Sequence, residues 1–279
     1  MPQTLIVEDL SSVGAVSLSI TLPVLTAFGM QPASFPSLVL STHTGGFGQP
    51  ATVPTAPSFE SFREHWQKNK IQFNSVLVGY LGADPQIFAV LMKLLAENAA
   101  ALVVIDPAFA DSGHLYAGMT PAVGTAYLKL CRYAQVLLPN LTEAAFLSGE
   151  PIPQKNEDHQ IEVILKKLIQ KTGIQQVAVT GIVHGEQVGT AFLVHGKLHY
   201  SFAEKIPGNY VGTGDLFTSV VTGLLLKKTP FTKSLELANQ WTSQAVAETA
   251  NQQLRDPRMG IQIQSVFAKA LKYRREQNA

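Results

Sequence analysis

Short apolar runs alternate along this chain with longer segments of helical period, and this alternation restricts the fold more than any other feature. The predicted strands are residues 4–8, 33–40, 75–79, 101–105, 135–138, 176–180, 187–194 and 198–203. The predicted helices are residues 14–28, 85–99, 142–147, 157–171, 213–226, 234–251 and 263–273. Strands that alternate with helices of this length are typical of βαβ units.

The predicted fold class is therefore α/β, with a mostly parallel central sheet, helices on both faces and one late antiparallel β-hairpin around His195 and Gly196. No linker, charge run or internal repeat divides the 279 residues. We therefore predict a single domain over residues 1–279.

Composition excludes several classes of protein. Apolar residues make up 46% and charged residues 15% of the chain, which is enough to bury a large core and argues against disorder. The net charge is +1, without the basic excess that nucleic-acid binders show. The single cysteine, Cys131, excludes a disulfide framework and predicts a cytoplasmic location.

The stretch between Asp9 and His43 has no charged residue and imitates a membrane span in length. It is interrupted by Pro23, Pro32 and Pro36, and it divides into a helical half and a strand-like half. The first residues also lack the basic flank of a secretory signal. We therefore predict a soluble protein that does not bind membranes.

Polar side chains follow the predicted strands, which is where ligands bind in open α/β sheets. These side chains belong to Asp9, His43, Thr44, Tyr80, Asp106, Asn140 and Thr180. Strand ends are polar in many proteins, so the set is more informative than any single member.

The sharpest local motif is Gly212-Thr213-Gly214-Asp215, directly before an apolar helix. Glycines let a ligand approach the backbone, and the first N–H groups of a helix attract anions such as a transferred phosphoryl group. Asp215 falls in the first helical turn, where it can accept a proton from a substrate hydroxyl. The simpler alternative is a glycine turn with Asp215 as a helix cap.

Several familiar signatures are missing from the sequence. It contains no GxxxxGK[ST] motif, which excludes a P-loop, and no GxGxxG after the first strand, which disfavours a dinucleotide fold. The sequence also lacks HExxH and GxSxG, which argues against a metalloprotease and an α/β-hydrolase.

Taken in order, the motifs resemble those of the pyridoxal kinases in the ribokinase-like superfamily. The matching segments are LIVEDLSSVG, LSTHTGGFG, VGYLG, VIDPAFAD, LLPNLTEAAFLSG, VAVTG and VGTGDLFTS. This resemblance implies a ribokinase-like three-layer αβα sandwich. It also implies ATP-dependent phosphorylation of the 5′-hydroxymethyl group of pyridoxal, pyridoxine or pyridoxamine.

The resemblance further implies a role for each matching residue. Asp215 is the implied catalytic base, and Gly212, Thr213 and Gly214 form the implied anion hole. The implied ATP-binding residues are Asp106, Asp111, Asn140, Glu143, Thr180, Gly212 and Gly214, and the implied metal ligands are Asp106 and Glu143. The implied substrate pocket consists of Asp9, His43, Thr44 and Tyr80, with residues 42–57 and 111–120 as covering lids.

The resemblance implies Mg²⁺ with ATP as the cofactor and a homodimer as the assembly. It leaves open a monovalent cation such as K⁺, because Leu138 stands where the family usually has threonine. Asp9 likewise stands where many members carry serine, which leaves the preferred vitamer open. Two other functions stay open: hydroxymethylpyrimidine kinase activity, and non-catalytic binding of vitamin B6 or nucleotide on the same fold.

Overall fold

The computed structural model of the protein describes residues 3–153, 157–252 and 256–277. Its strands are β1 (Gln3–Ser11), β2 (Gln31–Leu40), β3 (Thr52–Pro54), β4 (Ser75–Val78), β5 (Leu102–Ile105), β6 (Ala110–Asp111), β7 (His114–Leu115), β8 (Val136–Leu137), β9 (Gln176–His184), β10 (Gln187–Val194) and β11 (Lys197–Glu204). Its helices are α1 (Leu18–Ala27), α2 (Ala56–Lys68), α3 (Pro85–Glu97), α4 (Pro121–Leu130), α5 (Leu141–Ser148), α6 (Asp158–Thr172), α7 (Thr213–Leu226), α8 (Phe231–Ala250) and α9 (Gln264–Glu276). The rest of the predicted span of 1–279 lies outside the described residues.

One nine-stranded sheet runs through the molecule in the order β11-β10-β9-β8-β5-β4-β1-β2-β3. Neighbouring strands from β9 to β2 are all parallel. The sheet becomes antiparallel at its two ends, where β9, β10 and β11 pair in succession and β3 pairs with β2. The predicted α/β class, with its mostly parallel sheet and late hairpin, is confirmed.

The central strands are buried on both faces because their successive side chains point to opposite sides of the sheet. In β1, Leu5 and Val7 pack with helices α2 to α6, whereas Ile6 packs with α1, α7, α8 and α9. Strands β4, β5 and β9 alternate in the same way. The result is the three-layer αβα arrangement that the resemblance implied.

The structure contains two helices and two antiparallel strand pairs that were not predicted from the sequence. The predicted loop 42–57 contains the exposed edge strand β3, and β6 pairs with β7 in a second small sheet. Helices α2 and α4 were not among the predicted elements. Each follows a threonine and has proline at one of its first two positions, which is a recognisable start signal.

None of the described helices is both long and apolar enough to cross a membrane.

Helices α1 and α7 pack closely because Gly223 of α7 lies against the ring of Phe28, which follows α1. A Cβ atom at Gly223 would stand 2.2 Å from Phe28 Cδ2. The ring has no free space to move into, since Phe28 is fully buried and stacks on Trp241 at a centroid distance of 6.1 Å. This contact sets the position of α7 relative to α1.

We predict that Gly223→Ala lowers the free energy of unfolding, although alanine favours a helix by ~1 kcal/mol over glycine. Overpacking against Phe28 costs about 1–3 kcal/mol, so the net change is destabilising. Chemical denaturation measures it. In a Phe28→Leu background the same substitution should cost less, and a wild-type-background variant as stable as the parent would contradict the packing argument.

Candidate active site

A cavity of about 620 Å³ opens at the carboxyl ends of the parallel strands. It collects every site residue predicted from the sequence: Asp9, His43, Thr44, Tyr80, Asp106, Asp111, Asn140, Glu143, Thr180, Gly212, Thr213, Gly214 and Asp215. Parallel strands end at one edge of a sheet, which explains why residues so distant in sequence meet there. The roles implied for these residues do not follow from their meeting alone.

The N-terminus of α7 forms one wall of this cavity. Helix α7 begins after Gly212, whose φ of +90° is left-handed and whose Cα approaches the main chain so closely that a Cβ would stand 2.6 Å from the carbonyl oxygen of Ala15. Among the described residues no side chain caps the helix. Its first N–H groups therefore stay available to an anion in the cavity.

Asp215 lies in the first turn of α7, and its Oδ2 accepts a hydrogen bond of 2.9 Å from the backbone N–H of Ser17. Burial raises the pKa of Asp215 to about 7; the Ser17 hydrogen bond opposes the rise, and the charges of Asp106 and Asp9 add to it. A carboxylate with such a pKa can accept a proton near neutral pH.

Asp106 follows β5 and faces α7. Its Oδ2 accepts a 2.8 Å hydrogen bond from the hydroxyl of Thr218. Burial raises the pKa of Asp106 to about 6, against the effect of that hydrogen bond. Asp106 and Asp215 therefore lie close enough to influence each other's ionisation.

Glu143 has a different environment from the one its implied role suggests. Its Oε1 accepts the N–H groups of Phe109 (3.1 Å) and Ala110 (3.3 Å), and its Oε2 accepts the N–H of Asn140 (2.9 Å). Asn140 caps α5 in return by accepting the N–H of Glu143. Both carboxylate oxygens thus hold main-chain segments of the cavity wall in place.

Burial raises the pKa of the Glu143 carboxyl well above its usual value, and the charge of Asp106 raises it further. Among the described residues, no three histidine, cysteine, aspartate or glutamate side chains are placed to enclose a metal ion together. The Asp106 and Glu143 pair still fits Mg²⁺, which needs only one or two carboxylates when phosphates and water complete its shell.

Asp9 also lines the cavity, at a bulge where the register between β1 and β2 shifts between Glu8 and Leu10. A bulge redirects a side chain, here into the cavity. The hydroxyl of Ser11 donates a 2.9 Å hydrogen bond to Asp9 Oδ2. Burial raises the pKa of Asp9, while hydrogen bonds from Ser17 and Ser11 lower it.

His43 lines the cavity, but both of its ring nitrogens are already used. Nδ1 accepts the N–H of Gly45 at 3.0 Å, so Nε2 carries the hydrogen and donates to the carbonyl oxygen of Arg258 at 2.6 Å. His43 therefore ties its own loop to the segment around Arg258 and offers the cavity no free nitrogen. Tyr80, half-buried beside Asp9, has a pKa raised by burial and by that charge.

The remaining predicted residues occupy the cavity rim. Thr180 is tied to the main chain, since its N–H donates to the carbonyl of Pro139 at 2.8 Å. Asp111 is exposed on β6, and its Oδ1 accepts the N–H of Ser112 at 2.7 Å. Thr44 is exposed in the loop after β2.

Sequence reasoning missed two groups of residues. One lines the cavity from β9, the hairpin, the following loop and α8, and comprises Gly181, Val188, Gly189, Thr190, Glu204, Lys205, Ile206, Gly208, Asn209, Tyr210, Val211, Asn239, Thr242, Ser243 and Val246. The other is scattered along the chain and comprises Val16, Ser17, Leu40, Ala108, Tyr116, Phe217 and Thr218. The loop KIPGNYV, which leads into the glycine motif, was the signal available for the first group.

Glu8 was also missed, although a charged residue inside an apolar strand is unusual. It is 1% exposed, and the described residues hold no hydrogen-bond partner for its Oε1. Burial raises the pKa of Glu8 well above its usual value, and the charge of Asp215 adds to the rise. A buried acid whose ionised form is disfavoured therefore lies close to Asp215.

Comparison with known proteins shows which family the chain resembles over most of its length. The family model described as phosphomethylpyrimidine kinase matches residues 39–257. The crystal structure of pyridoxal kinase from Lactobacillus plantarum is 36% identical, with a TM-score of 0.93 and coverage of 99% of each chain. The pyridoxine/pyridoxal/pyridoxamine kinase of Bordetella avium is 26% identical over 253 residues, which cover 85% of this chain and 81% of that protein.

A candidate phosphomethylpyrimidine kinase from Bacteroides thetaiotaomicron, solved with pyridoxal, is 29% identical with a TM-score of 0.88 over 96% of this chain and 95% of that chain. The resemblance inferred from the motifs is thereby confirmed. The chain belongs to the family of pyridoxal and phosphomethylpyrimidine kinases within the ribokinase-like superfamily.

Proposed function

We propose that this protein is an ATP-dependent kinase that phosphorylates the 5′-hydroxymethyl group of pyridoxal, pyridoxine and pyridoxamine. The single observation that carries the proposal is the position of Asp215 in the uncapped first turn of α7, facing a cavity that also contains Asp9 and Tyr80. A base, an anion site and an acceptor pocket meet there. The pyridoxal kinase relatives supply the substrate class.

In the proposed reaction, the hydroxyl oxygen of the vitamer attacks the γ-phosphorus of ATP. The new O–P bond forms while the bond to the bridging oxygen of ADP breaks, and the hydroxyl proton passes to a carboxylate oxygen of Asp215. Such a transfer has a loose transition state, so placement and charge stabilisation matter more than a strong base. The N–H groups of Gly212, Thr213 and Gly214 are oriented to stabilise the transferred group.

We assign the vitamer ring, which carries the hydroxyl that accepts the phosphoryl group, to one part of the cavity. The residues around it there are Asp9, His43, Thr44 and Tyr80. Both ring nitrogens of His43 are hydrogen-bonded to the main chain, so we propose that His43 holds the covering loop in place and does not bind the vitamer through a nitrogen. Asp9 supplies a buried hydrogen-bond acceptor for a ring N–H or hydroxyl.

We assign the nucleotide phosphates to Asp106, Asp111, Asn140, Thr180, Gly212 and Gly214, with Glu143 supporting Asn140. Asp106 is the proposed carboxylate ligand for Mg²⁺, and Glu143 would join it through the lone pairs that its hydrogen bonds to the main chain leave free. When bound, Mg²⁺ neutralises charge on the transferring phosphates. A positive ion is also what this cavity lacks: of the described lysine and arginine residues only Lys205 lines it, against several carboxylates.

We further propose that residues 42–57 and 111–120 cover the bound substrates and exclude water from the reaction. The continuous sheet supports one kinase domain over the whole chain. We also propose a homodimer and, from the single buried cysteine, a reducing cytoplasmic location. Dependence on a monovalent cation such as K⁺ is a further proposal that assays in potassium-free buffer can test.

Hydroxymethylpyrimidine kinase activity is the second candidate, favoured by the description of the matching family model. The same base and anion site serve both substrates, so the choice depends on the acceptor pocket. A non-catalytic binding protein is disfavoured, because Asp215 and the glycines that catalysis needs are all present.

The first test is ADP release with Mg²⁺ and ATP on pyridoxal, pyridoxine, pyridoxamine and hydroxymethylpyrimidine, measured in parallel. We expect turnover on at least one B6 vitamer, with a higher kcat/KM than on the pyrimidine. Turnover on the pyrimidine alone reassigns the substrate, and no turnover by folded protein refutes the proposal.

The second prediction concerns the base. Asp215→Asn keeps the size of the side chain but removes the carboxylate, so kcat should fall by about 10²–10⁴-fold. Binding of the vitamer, measured by calorimetry, should change little. Near-normal turnover in this variant would remove Asp215 from the proposed role.

The third prediction concerns pH. Asp215 must be ionised to accept a proton, and its pKa is about 7, so kcat/KM should fall as the pH decreases through that value. Because the charge of Asp106 raises the pKa of Asp215, Asp106→Asn should move the acid limb of the profile to lower pH.

Glu236→Gln is the matched control, because it removes an exposed carboxylate of α8 that pairs with Lys233 outside the cavity. Its acid limb should coincide with that of the wild type. If the acid limb of the kcat/KM profile of Asp106→Asn coincides with that of the wild type, the charge of Asp106 does not raise the pKa of Asp215.

A further inference from the structure

The hydroxyl of Thr218 in α7 has a different partner from those of most helical threonines. The usual partner is the carbonyl oxygen four residues earlier in the same helix. Four threonines of this protein donate to that carbonyl at 2.7–2.8 Å, namely Thr26, Thr172, Thr222 and Thr249. Thr218 donates instead to Oδ2 of Asp106, at 2.8 Å.

The position of Thr218 on its helix explains how it reaches this partner. It lies three residues after Asp215, and residues at this spacing share one face of a helix. Both side chains line the cavity, and Thr218 is only 2% exposed. Helix α7 therefore carries the base in its first turn and, one turn later, a hydroxyl that is bonded to a carboxylate of the same cavity.

Asp106 is otherwise held through its main chain. Its N–H donates to the carbonyl oxygen of Val78 at 2.8 Å, and its own carbonyl accepts the N–H of Ala108 at 2.9 Å. These bonds fix the backbone but leave the side-chain torsions of Asp106 unconstrained. The hydrogen bond from Thr218 restricts those torsions, and because it uses Oδ2 it leaves Oδ1 for another partner.

We propose that Thr218 is a positioning residue for the metal–nucleotide complex, whose hydroxyl holds the Asp106 carboxylate so that Oδ1 is left to Mg²⁺. This inference rests on the proposed function and deepens it, because Asp106 is the carboxylate assigned there to Mg²⁺. Carboxylates that bind metals are commonly oriented by such hydrogen bonds, and loss of one costs about 10–100-fold in metal affinity or activity.

The test measures how tightly Mn²⁺, a paramagnetic substitute for Mg²⁺, binds to the complex of the protein with ADP. Electron paramagnetic resonance of the free ion gives the Kd. Thr218→Val keeps the shape of the side chain and deletes the hydroxyl, so the Kd of Mn²⁺ should rise by about 10–100-fold. In turnover, the half-saturating Mg²⁺ concentration should rise in proportion, while the KM for the vitamer at saturating Mg²⁺ should not change.

Three further variants separate the orientation of Asp106 from an effect on folding. Thr218→Ala deletes the same hydroxyl and favours the helix, so its Kd should match that of Thr218→Val. Thr218→Ser keeps the hydroxyl and should bind Mn²⁺ as the wild type does. Thr222→Val is the matched control, because it deletes a fully buried hydroxyl that donates to the carbonyl of Thr218. Its Kd should equal that of the wild type.

Action through Asp106 is tested by repeating Thr218→Val in an Asp106→Ala background, where the further change in Kd should be less than about twofold. A full effect in that background overturns the link to Asp106. A wild-type Kd in Thr218→Val and Thr218→Ala overturns the whole inference, as does an equally large loss in Thr218→Ser or Thr222→Val. Failure of the proposed function is distinct, because the wild type would then bind Mn²⁺ with ADP and phosphorylate no vitamer.

Discussion

The close approach of the α7 N-terminus to the turn between β1 and α1 is the contact on which the site depends. Gly212 allows it, because any Cβ at that position would overlap the carbonyl of Ala15. The approach brings Asp215 within hydrogen-bond distance of the Ser17 N–H and turns the free N–H groups of α7 toward the cavity. The Gly223–Phe28 contact, farther along α7, maintains the same spacing from the opposite end.

The second constraint is electrostatic. The acids Glu8, Asp9, Asp106, Glu143 and Asp215 lie in or beside one cavity, and burial raises the pKa of each. Buried acids without cationic partners are unfavourable for the empty protein, and such strain is typical of functional sites. A bound cation would relieve this strain, and a pKa of about 7 makes Asp215 a stronger base than an exposed aspartate while leaving it partly ionised at neutral pH.

Much of the site could be predicted because a parallel sheet places its strand ends together. Asp9 lies near the end of β1, Asp106 directly after β5 and Thr180 within β9, and the parallel order of these strands brings them to one cavity. The missed residues of the hairpin and α8 are not at the ends of parallel strands, so no rule of sheet topology predicts that they line the cavity. Helices α2 and α4 were missed although a threonine and an early proline mark the start of each.

The sequence by itself determined the α/β class, the edge of the sheet where the site lies and the family, because strand periodicity and local motifs are properties of short segments. Only the tertiary structure decided how each side chain is used. It showed that the nitrogens of His43 and the oxygens of Glu143 are occupied by the main chain, and that Ser17 holds Asp215. The physical reason is that hydrogen bonds and burial depend on neighbours far away in sequence, which no local pattern records.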